Sequence, residues 1–302
     1  MGWLRTVTLA ALCALTGTGV AHAAENPSYV AFFEGKYLTA LDLAEKEAEA
    51  GSKEAYTLMG EIYSEGLGVA QDYTKAADAY AKAADLGDTN AQFSLGLLVA
   101  EGLGVKKDLR IAGDLFEHAA KAGNPAAQYN LALIYLNGNG RPVDDEKAAE
   151  WMQKAAEQGN AQAQYDLGAF YQFGRGVPID PVKAAEWTGK ASDAGLPTAQ
   201  VEYAVMLFKG RGVPQDQKKA AELFRIAAEE GNPVAQNRLA RLYANGVVVD
   251  PDPVQAAKWH LLARDAGVSD FSLDILLAKL TKKQRVQAER AVDAWESGRL
   301  TE

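Results

Sequence analysis

Covalent or metal chemistry needs nucleophiles, acids, bases or ligands within reach of one another, and this chain of 302 residues offers few. Its single cysteine, Cys13, lies inside an apolar N-terminal stretch. Of its three histidines, His22 sits beside that stretch, and His118 and His260 are far apart in the sequence. That rules out a zinc pair of the His-x-x-x-His kind and gives no Ser-His-Asp constellation. Adjacent acids occur at Asp144-Asp145 and Glu229-Glu230. Both pairs fall at predicted helix ends, where solvation and the helix dipole account for them without a hydrolase site. Gly66-x-Gly68 resembles a fragment of a phosphate loop, but it follows no predicted strand and recurs along the chain. The chain is therefore predicted not to be an enzyme and to hold no metal or cofactor.

The elements that carry these residues repeat. Shifting the sequence by 36 residues superposes it on itself six times between Ser52 and Gly267. Identical columns are Ala55/91/127/163/199/235, Gly66/102/138/174/210/246, Asp72/108/144/180/216/252, Ala76/112/148/184/220/256, Ala83/119/155/191/227/263 and Gly87/123/159/195/231/267. Each column has a physical reading. Gly87 and its equivalents close an alanine-rich helix at a position that needs positive φ. Asn124-Pro125 and Asn232-Pro233 pair an N-cap with proline at the first helical position. Helix A is thus expected from about Lys53 to Ser64, Gly66-x-Gly68 makes the turn, and Asp72 caps helix B. Gly60/96/168 share a column with Ala132/204/240, so nothing larger than a methyl group stands there and two helices approach closely. On helix B, Leu115, Trp151, Trp187, Leu223 and Trp259 are read as the bulky ridge that fills such grooves. Helices of about 12 residues are marginal alone in water, so stacking must stabilise them.

The run Ala163, Leu167, Gly168, Tyr171, Gly174, Gly176, Val177, Asp180, Lys183, Ala184, Trp187, Lys190, Ala191 and Gly195 resembles the Sel1-like repeat family, with Ser192 in place of the second alanine of its Lys-Ala-Ala run. The resemblance covers residues 52–267. It implies an all-α fold, a right-handed α/α superhelix of six repeats related to tetratricopeptide arrays, with helix A on the concave side. It also implies adaptor or signalling roles in protein complexes. One branch of the family carries a disulfide in every repeat. This chain has no cysteine outside its first 23 residues, so that branch's properties are not carried over.

Residues 1–23 read as a secretory signal peptide: Arg5, an apolar stretch from Val7 to Val20, and the small-x-small site Ala21-His22-Ala23. Its removal deletes one arginine and no acid, taking the net charge from −9 to −10. So acidic a chain has no electrostatic footprint for nucleic acid. A soluble periplasmic or secreted protein without membrane insertion is expected. Residues 24–51 are read as a frayed leader (Ala24 to Tyr29) followed by a lone helix B from Tyr37 to Gly51. In residues 268–302, Phe271 to Leu280 takes the place of a seventh helix A, and Thr281 with Gln284 forms a capping box.

With helix A placed by the family's geometry, three columns line the groove: Thr57/Phe93/Tyr129/Tyr165/Val201/Asn237, Glu61/Leu97/Leu133/Ala169/Val205/Arg241 and Ser64/Ala100/Leu136/Gln172/Phe208/Ala244. Phe93, Leu97, Tyr129, Leu133, Tyr165 and Phe208 form an apolar strip that either packs internally or holds a partner. The leading expectation is a scaffold that binds a protein or peptide of the cell envelope. A cell-wall or β-lactam-processing enzyme and a secreted host-directed effector are the alternatives.

Overall fold

The computed structural model describes residues 26–299, and the signal peptide expected at residues 1–23 lies outside them. Among the described residues there are sixteen helices and no strand. The chain divides between Val143 and Asp144 into two compact units. In the N-terminal unit, α1 (Pro27–Phe33) and α2 (Tyr37–Glu49) precede the A helices α3 (Lys53–Glu65), α5 (Thr89–Glu101) and α7 (Pro125–Asn137). The B helices α4 (Tyr73–Asp85) and α6 (Leu109–Lys121) alternate with them, each helix packing on the next. The C-terminal unit opens on α8 (Asp145–Glu157), a B helix. It continues through α9 (Ala161–Phe173), α10 (Pro181–Asp193), α11 (Pro197–Lys209), α12 (Gln217–Glu229), α13 (Pro233–Asn245) and α14 (Pro253–Asp265). It ends on α15 (Phe271–Lys279) and α16 (Lys282–Arg299), and α16 packs on α14.

One residue between successive repeats serves two helices. The Asp88 amide donates to Ala83 O at 2.9 Å and that of Gly87 to Ala84 O at 2.9 Å, the Schellman pair that satisfies the last carbonyls of α4. The Asp88 carboxylate then accepts from Ala91 N at 2.8 Å and starts α5. Asn124, Asn160 and Asn232 repeat the arrangement at the later boundaries. At Leu196 the cap side chain is missing, and Pro197 at the first helical position takes over the start of α11. Glutamine supplies a further tie. Gln128 Nε2 donates to Ala120 O, Gln164 to Ala156 O and Gln236 to Ala228 O, each bridging helix A to the end of the preceding B helix.

The small column of helix A does bring two helices together, but its partner differs from the ridge expected on helix B. A Cβ on Gly60 would lie 2.5 Å from the Tyr80 ring, on Gly96 2.6 Å from Phe116, and on Gly168 2.5 Å from the Thr188 hydroxyl. The buried ridge is thus Tyr80, Phe116, Met152, Thr188, Phe224 and His260, one residue beyond the tryptophan column. Trp151 and Trp187 are half-buried, and Lys154 and Lys190 lie over their rings at 4.1 and 3.9 Å. Leu58, packed among Phe32, Leu41 and Ile62, and Leu131 are fully buried, each stabilising the fold by about 1.5–3 kcal/mol.

At the ends the structure departs from the expected leader. Residues 27–33 form α1, started by Asn26-Pro27 and docked by Ser28, whose Oγ donates to Glu47 at 2.5 Å. The capping box is present: Thr281 N donates to Gln284 Oε1 at 3.0 Å and Gln284 N to Thr281 Oγ1 at 3.3 Å. Val248, which replaces the second turn glycine of the sixth repeat, adopts φ +70° and is the single non-glycine with positive φ among the described residues.

Candidate functional site

The faces that could do work are those of the A helices, because the B helices hold most of the paired charge. In the N-terminal unit the three columns come from α3, α5 and α7. Leu97, Tyr129, Leu133 and Leu136 are half-buried, each keeping part of its apolar surface in solvent. Phe93 does not: it is 6 % exposed, with its ring 5.7 Å from that of Phe116. It is a packing residue, because the glycine at position 96 lets Phe116 come up beneath it. Glu61 opens the second column. Burial, reinforced by Glu65 one turn away, pushes its carboxyl up to about 7.

In the C-terminal unit the same columns come from α9, α11 and α13. Tyr165 and Phe208 are half-buried, whereas Val201 is 9 % exposed and belongs to the core. Burial raises the Tyr165 phenol above its ordinary value, with Glu202 and Asp166 adding to it. Phe208 packs along the edge of the core formed by Leu207, Phe224 and Leu239. Asn237 and Arg241, the polar end of the groove columns, are occupied within the chain. Asn237 Nδ2 and Arg241 Nε reach Asp270 Oδ2 at 3.1 and 2.5 Å. Asp270 also caps α15 through Ser272 N and Leu273 N. Burial alone would raise its pKa, but the bonds from Arg241, Asn237 and Ser272 outweigh it and hold the carboxyl far below the usual range.

The histidines do not share a site. His118 is exposed on α6. His260 is fully buried on α14, and its Nε2 meets Asp274 Oδ1 at 2.8 Å. Among the described residues, no group of three or more His, Cys, Asp or Glu side chains could hold a metal ion. No described helix is long and apolar enough to cross a membrane. A cavity of about 320 Å³ beside Gln172, Pro181, Ala184, Met206 and Arg211 brings together no nucleophile and base.

Paired helices stacked through glycine and alanine grooves, with partly exposed apolar A faces, define an α/α solenoid of the interaction-module class. The six repeats match the Sel1 repeat profile at residues 53–88, 89–124, 125–160, 161–196, 197–232 and 233–268, and the chain belongs to the Sel1 repeat family. Members of this family are typically non-catalytic protein-interaction scaffolds. The structure resembles that of a protective antigen present in uropathogenic Escherichia coli strains that displays an SLR fold. The likeness has 31 % identity and a TM-score of 0.80 over 91 % of this chain, which spans 63 % of the antigen's length. It also resembles a Sel1 repeat protein from Oxalobacter formigenes, at 28 % identity and a TM-score of 0.67, over 80 % of this chain and 97 % of the other. No functionally curated protein gives a significant match.

Proposed function

We propose that this chain is a non-catalytic scaffold of the bacterial cell envelope, periplasmic or secreted, that holds a protein partner on its A-helix faces. The reading is carried by the partly exposed Leu97, Tyr129, Leu133 and Leu136, which stand on one face of α5 and α7 while the B-helix ridge behind them is sealed. Apolar side chains left accessible together are the usual mark of an interaction site. Tyr165 and Phe208 extend the same role to the C-terminal unit. Export is supported by Arg5, the apolar stretch after it and Ala21-His22-Ala23.

The test is affinity capture from envelope extracts with the wild-type chain and with Leu97→Asp/Leu133→Asp, read by mass spectrometry. A protein captured by the first and lost by the second, with helicity intact in both, is the expected result. Equal capture by the two would remove the A faces from the account. Fractionation settles the compartment: the chain should appear in the periplasm or the medium, and recovery in the cytoplasm would contradict export.

A further inference from the structure

Charge is divided unevenly between the two kinds of helix in the N-terminal unit. Its A helices carry Glu54, Glu61, Glu65 and Glu101 but a single base, Lys53, at the start of α3. Its ion pairs lie elsewhere: Lys36 with Glu34, Lys46 with Asp42 on α2, Lys121 with Glu117 on α6, and Arg141 with Asp114 and Glu117. Lys75 and Lys82, the cations of the neighbouring α4, lie over the rings of Tyr63 and Tyr56 at 5.1 and 5.4 Å. Among the described residues, Glu61 and Glu65 enter no ion pair.

The contrast with the sixth repeat is informative. Position 241, equivalent to Glu61, holds an arginine whose counter-charge, Asp270, is built into the chain. Glu61 has no such partner. It is half-buried on α3, and Glu65 one turn on adds repulsion. A carboxylate that has lost water and gained no cation is relieved by a positive group brought from outside. Its neighbours in the same column are Leu97 and Leu133, so the relieving group would arrive attached to apolar surface.

We propose that the A face of the N-terminal unit takes a peptide segment whose apolar side chains cover Leu97, Tyr129 and Leu133 and whose lysine or arginine pairs with Glu61 and Glu65. This rests on the reading of the A faces as the binding surface and adds the chemistry of what they bind.

A library of short random peptides panned on the immobilised full chain tests it, with fluorescence anisotropy on each enriched peptide. Enriched peptides are expected to join several apolar residues to at least one Lys or Arg. They should bind Glu61→Gln/Glu65→Gln about tenfold or more weakly, the loss expected for a charge-assisted pair. Replacing the peptide's basic residue by glutamine should abolish that difference. Peptides that lose binding to Leu97→Asp/Leu133→Asp yet bind the glutamine variant like wild type would overturn this inference and leave the proposed function standing. Enriched peptides indifferent to both variants, or no enrichment at all, would sink the proposed function as well. Circular dichroism and urea midpoints confirm that each variant is folded.

Discussion

Glu61→Gln should stabilise the protein by an amount that grows from nothing below about pH 4.5 to its full size above about pH 7. The Glu61 carboxyl is raised from an ordinary 4.5 to about 7 by burial and by Glu65. A folded pKa above the unfolded one means that the folded state binds the proton more tightly, so stability falls as pH rises between the two values. Below about pH 4.5 the group is protonated in both states and costs nothing. Above about pH 7 the full cost is present. A shift of this size corresponds to at most ~3 kcal/mol, and residual solvent contact reduces it to on the order of 1–3 kcal/mol. The neutral amide removes that cost. The titratable groups it couples to are Glu65 on α3, Tyr29 of α1 and Tyr80 of α4. The tyrosines are pushed above their usual range by burial, and so stay neutral throughout this window. The assay is urea unfolding of wild type and variant at pH 4, 6 and 8, followed by circular dichroism. A stabilisation of equal size at all three pH values would refute the linkage, and so would its absence at pH 8.

Three further outcomes follow from the same contacts. Val248→Gly relieves a β-branched residue held at φ +70° and should raise stability by about 1 kcal/mol in urea unfolding. Gly212→Ala should do the reverse, because position 212 has φ +71° and a Cβ there would run into the Pro181 carbonyl; its cost is expected to be at least ~2 kcal/mol, read the same way. Asp270→Asn weakens the cap of α15 and leaves Arg241 without its counter-charge, so amides of Ser272 and Leu273 should exchange with deuterium at least ~10-fold faster than in wild type. Because the Asp270 carboxyl is held low in the folded state, its contribution is present at neutral pH and fades as the solution is acidified below the ordinary aspartate range.

The repeat was legible because its signals are local. A positive-φ glycine, an Asp or Asn cap and a following proline each act within a few residues, so the period and the helix limits follow from composition at fixed offsets. Asn26-Pro27 is the same signal as Asn124-Pro125, and applied there it would have found α1. The bulky ridge was harder to read. Tryptophan marks a column by its type, but the buried column mixes Tyr80, Phe116, Met152, Thr188, Phe224 and His260 and has no compositional signature. Its trace lies twenty positions earlier, where glycine faces Tyr80, Phe116 and Thr188. Phe93 shows the limit of column reasoning: it shares its register with Tyr129 and Tyr165, and only the neighbouring ring of Phe116 decides that it is swallowed. Asn237 and Arg241 stand in the groove columns, but the Asp270 that occupies them lies outside the repeat, so the period alone does not reveal their pairing.

The account turns on whether the A faces meet a partner protein. The most direct measurement is photo-crosslinking in the native cell, with a benzophenone side chain at Leu133 and, as control, at the exposed His118 of α6. An adduct with a second protein from position 133 and none from position 118 is the predicted result. No adduct from position 133, or the same adduct from both, would contradict it.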